Sequence, residues 1–218
     1  MIDDRETRTR LLATATRLFA DQGFKKVTVR EICHAARANV AAVNYHFGDK
    51  LGLYREVVQQ AIEGMVRTNE AAREAGEGQP AEEKLRRFIV IFLSQIMRPE
   101  FGTLHRLVQR EMQDPTPVLD ALVAQGVKPR LEYLSGVVAE MIGGEATDAA
   151  VLQCVGSINA QAIIYLPNAI GKRLGFEFRV EDIDSAAEHI ASFSIAGVRA
   201  IGRRRGRARQ QVRRRRSR

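Results

Sequence analysis

Apolar residues recur every three to four positions along almost the whole chain, and this spacing constrains the fold more than any other feature. The first stripe consists of Leu11, Leu12, Ala15, Leu18 and Phe19. Such spacing places apolar side chains on one face of an α-helix. No segment shows the sustained period-two alternation, punctuated by turns, that a sheet requires. We therefore predict an all-α fold of about nine helices.

The N-terminal part of the chain carries the clearest signals for helix ends. Thr28 is followed three residues later by Glu31, which is the capping-box pattern for the start of a short helix. Asn39 is a good N-cap for another short helix over roughly 40–46. Two short helices joined by a tight connection at residues 37–39 have the spacing of a helix-turn-helix.

The remaining segments predict longer helices and define the domain boundaries. The pattern favours a fourth helix after residue 48 and further helices at about 81–97 and 100–113. A long helix is expected to run to about residue 142, with a kink at Pro129. The two last helices are predicted at about 147–167 and 181–201. We expect three regions: a helix-turn-helix domain (1–48), a larger helical domain (49–202), and a disordered tail (203–218).

The positive charge of the chain is concentrated in its tail. The net charge is +8, and residues 203–218 contain ten arginines and no acidic residue, so residues 1–202 sum to −2. The pI of about 10.0 therefore belongs to the tail. Two uses of the tail stay open: it adds nonspecific affinity for nucleic acid by counterion release, or it is a solvated and dispensable segment. Binding to anionic lipid is less favoured, because no amphipathic anchor lies beside it.

Several classes of protein do not fit this composition. The two cysteines, Cys33 and Cys154, are far apart and form neither a disulfide framework nor a metal motif. The charged start of the chain is unlike a secretory signal, and the longest apolar run has six residues, whereas a bilayer needs about 20. Four scattered histidines, with no phosphate-binding or nucleophile motif, argue against an enzyme. We expect a soluble cytoplasmic protein without membrane contact, metal or cofactor.

A helix-turn-helix pushes the N-terminus of its second helix into the DNA major groove. The small side chains at the start of that helix suit close approach to thymine methyl groups, and these are Val40, Ala41 and Ala42. Asn44 can hydrogen-bond a base edge or a phosphate. Other residues are expected to contact phosphates, which fixes the register of the protein on DNA but reads no base sequence. These residues are Thr28, Arg30, Tyr45, His46 and Lys50.

Polar residues within apolar helix faces mark a candidate ligand site in the C-terminal part, because burying them unpaired is unfavourable. With nearby aromatic residues, the candidate set comprises Phe88, Phe92, His105, Arg110, Tyr133, Gln153, Asn159, Gln161 and Tyr165. Each apolar member taken alone is better explained as an ordinary core residue.

The order of these motifs resembles the TetR family of bacterial repressors. The resemblance rests on Leu11-Leu12, Phe19 to Phe24, Thr28 to Ile32, and Asn44 to Lys50. The run from Asn39 to Gly48 is similar to the subgroup that includes the cefoperazone and chloramphenicol sensitivity regulators. Residues 105–119 are similar to the C-terminal domain of that subgroup, so the resemblance covers roughly residues 5–200.

This resemblance implies a ligand-controlled repressor that binds a palindromic site on double-stranded DNA. It implies that the larger helical domain (49–202) serves ligand binding and dimerisation. The homodimer would be joined through the last two helices, and the effector would be small and largely apolar. Arg37 stands where the family usually has glycine. Arg37 could adopt a left-handed backbone, at a strain of about 1 kcal/mol. Alternatively, the chain forms a slightly different turn, from which the Arg37 side chain reaches a phosphate. Asn39 stands where serine is common, and both residues cap helices well.

Two other functions remain open at this point. An architectural nucleic-acid protein would bind through the arginine tail and use the body as a scaffold. A helical enzyme or ligand carrier would use the body alone and would not bind DNA.

Overall fold

A computed structural model describes residues 4–165, 173–175 and 182–216. The chain forms two compact units. The first holds the described residues up to 66 together with 99–127, and the second holds 67–98 together with the described residues from 128 onward. The predicted boundary lay at residue 48, between two helices, whereas the compact units divide within a helix after Val66.

The first unit is built from the N-terminal helices and a later segment of the chain, residues 99–127. It contains α1 (Asp4–Gln22), α2 (Val29–Ala36), α3 (Val40–Phe47), the first part of α4 (Lys50–Gly76), α6 (Pro99–Gln113), α7 (Leu119–Ala121) and a π-helical segment (Leu122–Val127). The second unit contains the end of α4, α5 (Ala81–Ile96), α8 (Lys128–Ile142), α9 (Ala149–Ile163) and α10 (Ile183–Arg216).

The predicted all-α class is confirmed, since the described residues are overwhelmingly helical and include no strand. If 119–142 is counted as the single long helix that the sequence predicted, the described part of the chain has nine helices. A π-helical segment interrupts that stretch and ends just before Pro129. Proline cannot donate a backbone hydrogen bond, so the regular ladder of helical hydrogen bonds is broken at this point.

The prediction of a disordered tail from residue 203 is wrong for most of that segment, because α10 continues to Arg216. Arginine is a good helix former, so an established helix extends through the run. The start of the extension is also fixed by an ion pair between Arg205 and Asp148. Residues 217–218, and the end of the predicted helix at 166–167, lie outside the described residues.

The core of the first unit centres on three aromatic rings. Tyr54 of α4 lies 4.8 Å from Phe19 and 4.9 Å from Phe24, measured between ring centroids. Tyr54 is 1% exposed. Apolar residues from the other helices complete this core, among them Leu11, Ala15, Ile32, Val43, Phe47, Leu53 and Val57. The short α2 and α3 are therefore supported by α1 and α4, as a helix-turn-helix requires.

A buried carboxylate joins α6 to this core. Glu111 is 1% exposed, and its Oε1 accepts a hydrogen bond of 2.6 Å from the Tyr54 hydroxyl. The Thr116 backbone N–H and hydroxyl each donate to Glu111 at 3.0 Å. Burial raises the pKa of Tyr54, and Glu111 raises it further, so the hydroxyl remains a donor. These hydrogen bonds satisfy a charge that would be very unfavourable if left unpaired.

The core of the second unit lies where α5 packs against α8 and α10. The buried face of α5 comprises Leu85, Phe88, Ile89, Phe92, Leu93 and Ile96. Small residues on α10, including Ala187 and Ala191, are fully buried and let the helices approach closely.

We expect Tyr54→Phe to lower the free energy of unfolding by about 1–3 kcal/mol, because Glu111 then lacks one donor in a buried site. Urea unfolding would measure the change. Tyr45→Phe is the matched control: Tyr45 is 77% exposed, so its change should stay within about 0.5 kcal/mol. Equal effects of the two substitutions would contradict a structural role for the buried hydrogen bond.

Candidate nucleic-acid interface

The start of α2 is fixed by the capping box that the sequence predicts. The Glu31 N–H donates to Thr28 Oγ1 at 3.2 Å, and the Thr28 N–H donates to Glu31 Oε2 at 2.7 Å. Hydrogen bonds from Thr28 hold the pKa of Glu31 below its usual range. Thr28 and Arg30 are exposed at this end of α2. Both are therefore accessible to a phosphate.

The turn between α2 and α3 depends on Arg37. Its backbone is left-handed, with φ 50° and ψ 49°, and no other non-glycine in the described part of the chain has a positive φ. The Arg37 N–H donates to the His34 carbonyl at 3.2 Å, and the Ala38 N–H donates to the Cys33 carbonyl at 2.9 Å. Of the two alternatives for Arg37, the structure has the left-handed backbone. Its side chain is exposed.

The outer face of α3 presents uncharged side chains, most of them small. Asn39 Oδ1 accepts a hydrogen bond of 3.0 Å from the Ala41 N–H, which fixes the start of the helix. Val43 and Phe47 anchor the opposite face in the core. Val40 is 41% exposed and Tyr45 is 77% exposed, and Ala41 and Asn44 are exposed beside them. No acidic residue occurs in α3, so this face does not repel phosphates.

Three residues of the predicted DNA-contacting set are less accessible than the others. Ala42 is partly buried and packs against the core. The His46 side chain is 8% exposed, and its Nε2 lies 3.2 Å from Asp4 Oδ1, so His46 braces α3 against α1 instead of facing outward. Lys50 Nζ lies 4.4 Å from the centroid of the Phe24 ring. Burial lowers the pKa of Lys50, and the charge of Glu31 opposes this shift.

Sequence reasoning missed one cation in this region. Arg10 of α1 and Arg37 both line a groove of about 540 Å³ between α1 and α2, with Ala13, Thr14 and Ala36. Arg10 is paired with Glu6, one turn away on α1. In the sequence, this spacing is typical of a solvent-exposed helix face. The sequence holds no signal that it borders the turn before α3.

We expect Arg37→Gly to leave the free energy of unfolding unchanged or to raise it by up to about 1 kcal/mol, because glycine relieves the left-handed strain but is more flexible when unfolded. Arg30→Gly is the matched control, since it removes the same side chain from a helical position and should destabilise by about 1 kcal/mol. Urea unfolding of both variants gives the comparison. Equal destabilisation would show that Arg37 is not strained.

The predicted ligand residues are divided between the two units. Phe88, Phe92 and Tyr133 lie together in the second unit, with centroid distances of 5.7 Å for Phe88–Phe92 and 6.2 Å for Phe88–Tyr133. His105 and Arg110 lie on α6 in the first unit. Arg110 Nη2 donates to the Asp21 carbonyl at 2.7 Å.

The remaining candidates belong to α9 or follow it. Asn159 Nδ2 donates to the Val155 carbonyl of its own helix at 2.9 Å, and Gln161 Nε2 donates to Ser194 Oγ of α10 at 3.2 Å. Gln153 is exposed. Tyr165 follows α9, and burial raises its pKa.

An exposed face of small and apolar residues runs along α9 and α10. On α9 it contains Leu152, which is 53% exposed, with Gly156, Ala160 and Ile163 at helical spacing. On α10 it contains Phe193, which is 65% exposed, with Ala196 and Gly197. A groove of about 200 Å³ separates the two helices, and Gln153, Gln161 and Phe193 line it.

The described helices include none that is both long enough and apolar enough to cross a bilayer.

Two family models match the chain. The model for bacterial regulatory proteins of the tetR family matches residues 11–57, which contain α2 and α3. The model for the C-terminal domain of the HTH-type transcriptional dual regulator CecR matches residues 81–198, which is more than half of the chain.

Two curated relatives are similar to this chain. The HTH-type transcriptional dual regulator CecR of Shigella flexneri is 25% identical over 160 residues, which are 69% of this chain and 71% of CecR. The probable HTH-type transcriptional regulator YttP of Bacillus subtilis is 33% identical over 106 residues. That alignment spans half the length of YttP and 49% of this chain.

Solved structures share the fold. SCO4454, a TetR-family regulator from Streptomyces coelicolor, superposes with a TM-score of 0.64 at 24% identity and covers 89% of this chain and 97% of its own. A TetR-family regulatory protein from Rhodococcus superposes with a TM-score of 0.66 at 18% identity and covers 88% and 96%.

An all-helical chain that presents α3 from a helix-turn-helix belongs to the class of DNA-binding transcriptional regulators. Both curated relatives carry the names of HTH-type transcriptional regulators. Within this class, the chain belongs to the TetR family and is related to CecR.

Proposed function

We propose that this protein is a ligand-responsive repressor that binds a palindromic operator as a homodimer. The observation that carries the proposal is the outer face of α3. It is fixed by the Asn39 cap and exposes Val40 and Tyr45 on a helix without acidic residues. Small side chains next to a helix N-terminus allow close approach to base edges in the major groove.

Residues on both sides of α3 supply phosphate contacts in this proposal. Thr28, Arg30 and Arg37 are exposed around the turn, and Tyr45 projects from α3. Such contacts fix the register of a protein on DNA but carry no sequence information. Sequence preference then comes from Val40, Ala41 and Asn44. Lys50 adds a phosphate contact if its side chain moves away from the Phe24 ring.

The exposed face of α9 and α10 supports the homodimer. Leu152 and Phe193 would expose large apolar surfaces to water in a monomer, and contiguous exposed apolar surface marks an interaction site. Exposed glycine and alanine residues beside them allow close helix packing. A two-fold dimer presents two α3 helices and so matches a palindrome with half-sites about one helical turn apart.

The second unit supports the binding of an effector. It holds the aromatic group of Phe88, Phe92 and Tyr133. Release of DNA by an effector requires that the effector bind the DNA-free conformation more tightly than the DNA-bound one, because linkage is reciprocal.

We expect selection from a random DNA pool to yield a palindromic motif. On that motif, Tyr45→Ala should weaken binding about tenfold or more, because it removes a phosphate contact, and should leave the unfolding temperature unchanged. Met112→Ala is the matched control: Met112 is 75% exposed and lies outside the helix-turn-helix, so affinity should not change. Fluorescence anisotropy at fixed salt would measure all three affinities.

DNA binding by this protein could also come from the arginine-rich end of α10. A shortened chain distinguishes binding through that segment from binding through α3. A chain that ends at Arg205 keeps the ion pair with Asp148 but loses the rest of the basic segment. It should still select the palindrome. Loss of all DNA binding in the shortened chain would favour the architectural function over the repressor.

We expect Phe193→Asp to raise the dissociation constant of the dimer by about a hundredfold or more, because a carboxylate would be buried unpaired in the interface. Met112→Asp is the control, since it places the same charge at another exposed apolar position. Sedimentation velocity over a dilution series would measure both. A wild-type protein that sediments as a monomer would contradict the palindromic dimer.

A further inference from the structure

The last fourteen residues of α10, 203–216, are helical and contain nine arginines and no acidic residue. This segment is called the basic helix below. It begins where α10 still packs against α8, since a Cβ placed on Gly202 would lie 3.2 Å from the Ile142 Cα. Arg205 is paired with Asp148, the residue that precedes α9. The basic helix therefore continues from an anchored part of the second unit.

The positive charge of the basic helix is dense, and its first part is accessible. Arg203, Arg204 and Arg207 are exposed. A rise of about 1.5 Å per residue gives the segment a length of roughly 21 Å, with one arginine per about 2–3 Å. The two strands of duplex DNA together carry one negative charge per about 1.7 Å of the helix axis. The two charge densities are therefore similar in size and opposite in sign.

A helix of this composition is stabilised by a phosphate backbone. Arginines recur four positions apart, as at 203 and 207 and at 205 and 209, and like charges at this spacing repel each other. Phosphates near the helix reduce this repulsion, and the counterions released from the DNA favour the complex. Every basic residue of the segment is arginine, whose planar guanidinium can donate two parallel hydrogen bonds to one phosphate.

The composition of the basic helix favours DNA over a membrane surface. Val212 is the only apolar residue in it that is larger than alanine. Stable attachment to a bilayer needs an apolar helix face or a lipid chain in addition to basic residues. Binding to the phosphates of a duplex needs neither, because counterion release supplies the free energy of nonspecific binding.

We propose that the basic helix is a second binding element for duplex DNA, which contacts phosphates without reading sequence. The inference rests on the proposed function, from which it takes DNA as the partner. It differs from the architectural function, because here the basic helix adds to binding by α3 and does not replace it. The basic helix raises the affinity for every DNA sequence by the same factor and makes binding more sensitive to salt.

The test compares the full-length protein with a variant in which six arginines of the basic helix become glutamine. Glutamine is a good helix former without charge, so the substitution removes charge and retains helix propensity. The six positions are Arg207, Arg209, Arg213, Arg214, Arg215 and Arg216. The matched control has lysine at the same positions and retains the charge. Circular dichroism checks that both variants stay helical.

Fluorescence anisotropy on a duplex of scrambled sequence, over a range of NaCl concentrations, measures the affinity and its salt dependence. At about 0.1 M salt, the glutamine variant should bind about tenfold or more weakly than wild type. Its slope of log affinity against log salt should be shallower by about 2 or more, because each lost phosphate contact removes about 0.9 from the slope. The lysine variant should keep the wild-type slope to within about 1, since counterion release depends on charge.

Equal affinity and equal slope for wild type and the glutamine variant would overturn the proposal, as would the absence of wild-type binding to the scrambled duplex. A lysine variant that behaves like the glutamine variant would also contradict it, because charge would then not be the cause. So would a loss of binding to vesicles of equal parts phosphatidylcholine and phosphatidylserine that exceeds the loss on DNA.

Failure of the proposed function would give a different result. It would appear as the absence of a palindromic motif in the selected sequences, whatever the salt dependence on scrambled DNA. If both proposals hold, wild type and the glutamine variant have the same ratio of operator affinity to scrambled-duplex affinity.

Discussion

The hydrogen bond between the Tyr54 hydroxyl and Glu111 is the interaction on which the DNA-reading unit depends. Tyr54 packs between Phe19 and Phe24, and the carboxylate that it holds belongs to α6, 57 residues later. A three-helix segment of about 50 residues buries little apolar surface and is only marginally stable alone. The later helix adds buried surface and a fully satisfied polar contact. This explains why the compact unit extends past the helix-turn-helix.

Charged groups of this molecule are stabilised in two ways. Glu111 is buried and accepts hydrogen bonds from three donors. Several arginines at the surface have a carboxylate or carbonyl partner, as Arg86 has in Glu188 and Arg73 has in the Pro129 carbonyl. At the end of α10, Arg205 is paired with Asp148, although the sequence offers the arginines of this segment no acidic residue nearby.

Local signals in the sequence predicted local structure well. The capping box at Thr28 and the Asn39 cap were predicted and confirmed, since both depend on residues within three positions of each other. The sequence predicted a kink at Pro129, and the structure has a π-helical segment just before this residue, which the sequence did not predict. The disordered tail was predicted wrongly, because composition describes an isolated segment and not one that continues an anchored helix. The orientation of His46, packed beside Asp4, has no local signal at all.

The sequence by itself determined the helical class and the ends of the helix-turn-helix, because helical period and caps act over a few residues. Only the tertiary structure decided that α6 completes the first unit and that His105 and Arg110 belong to a different unit from Phe88 and Phe92. Those facts depend on contacts between residues far apart in the chain, and long-range packing leaves no periodic trace in a single sequence.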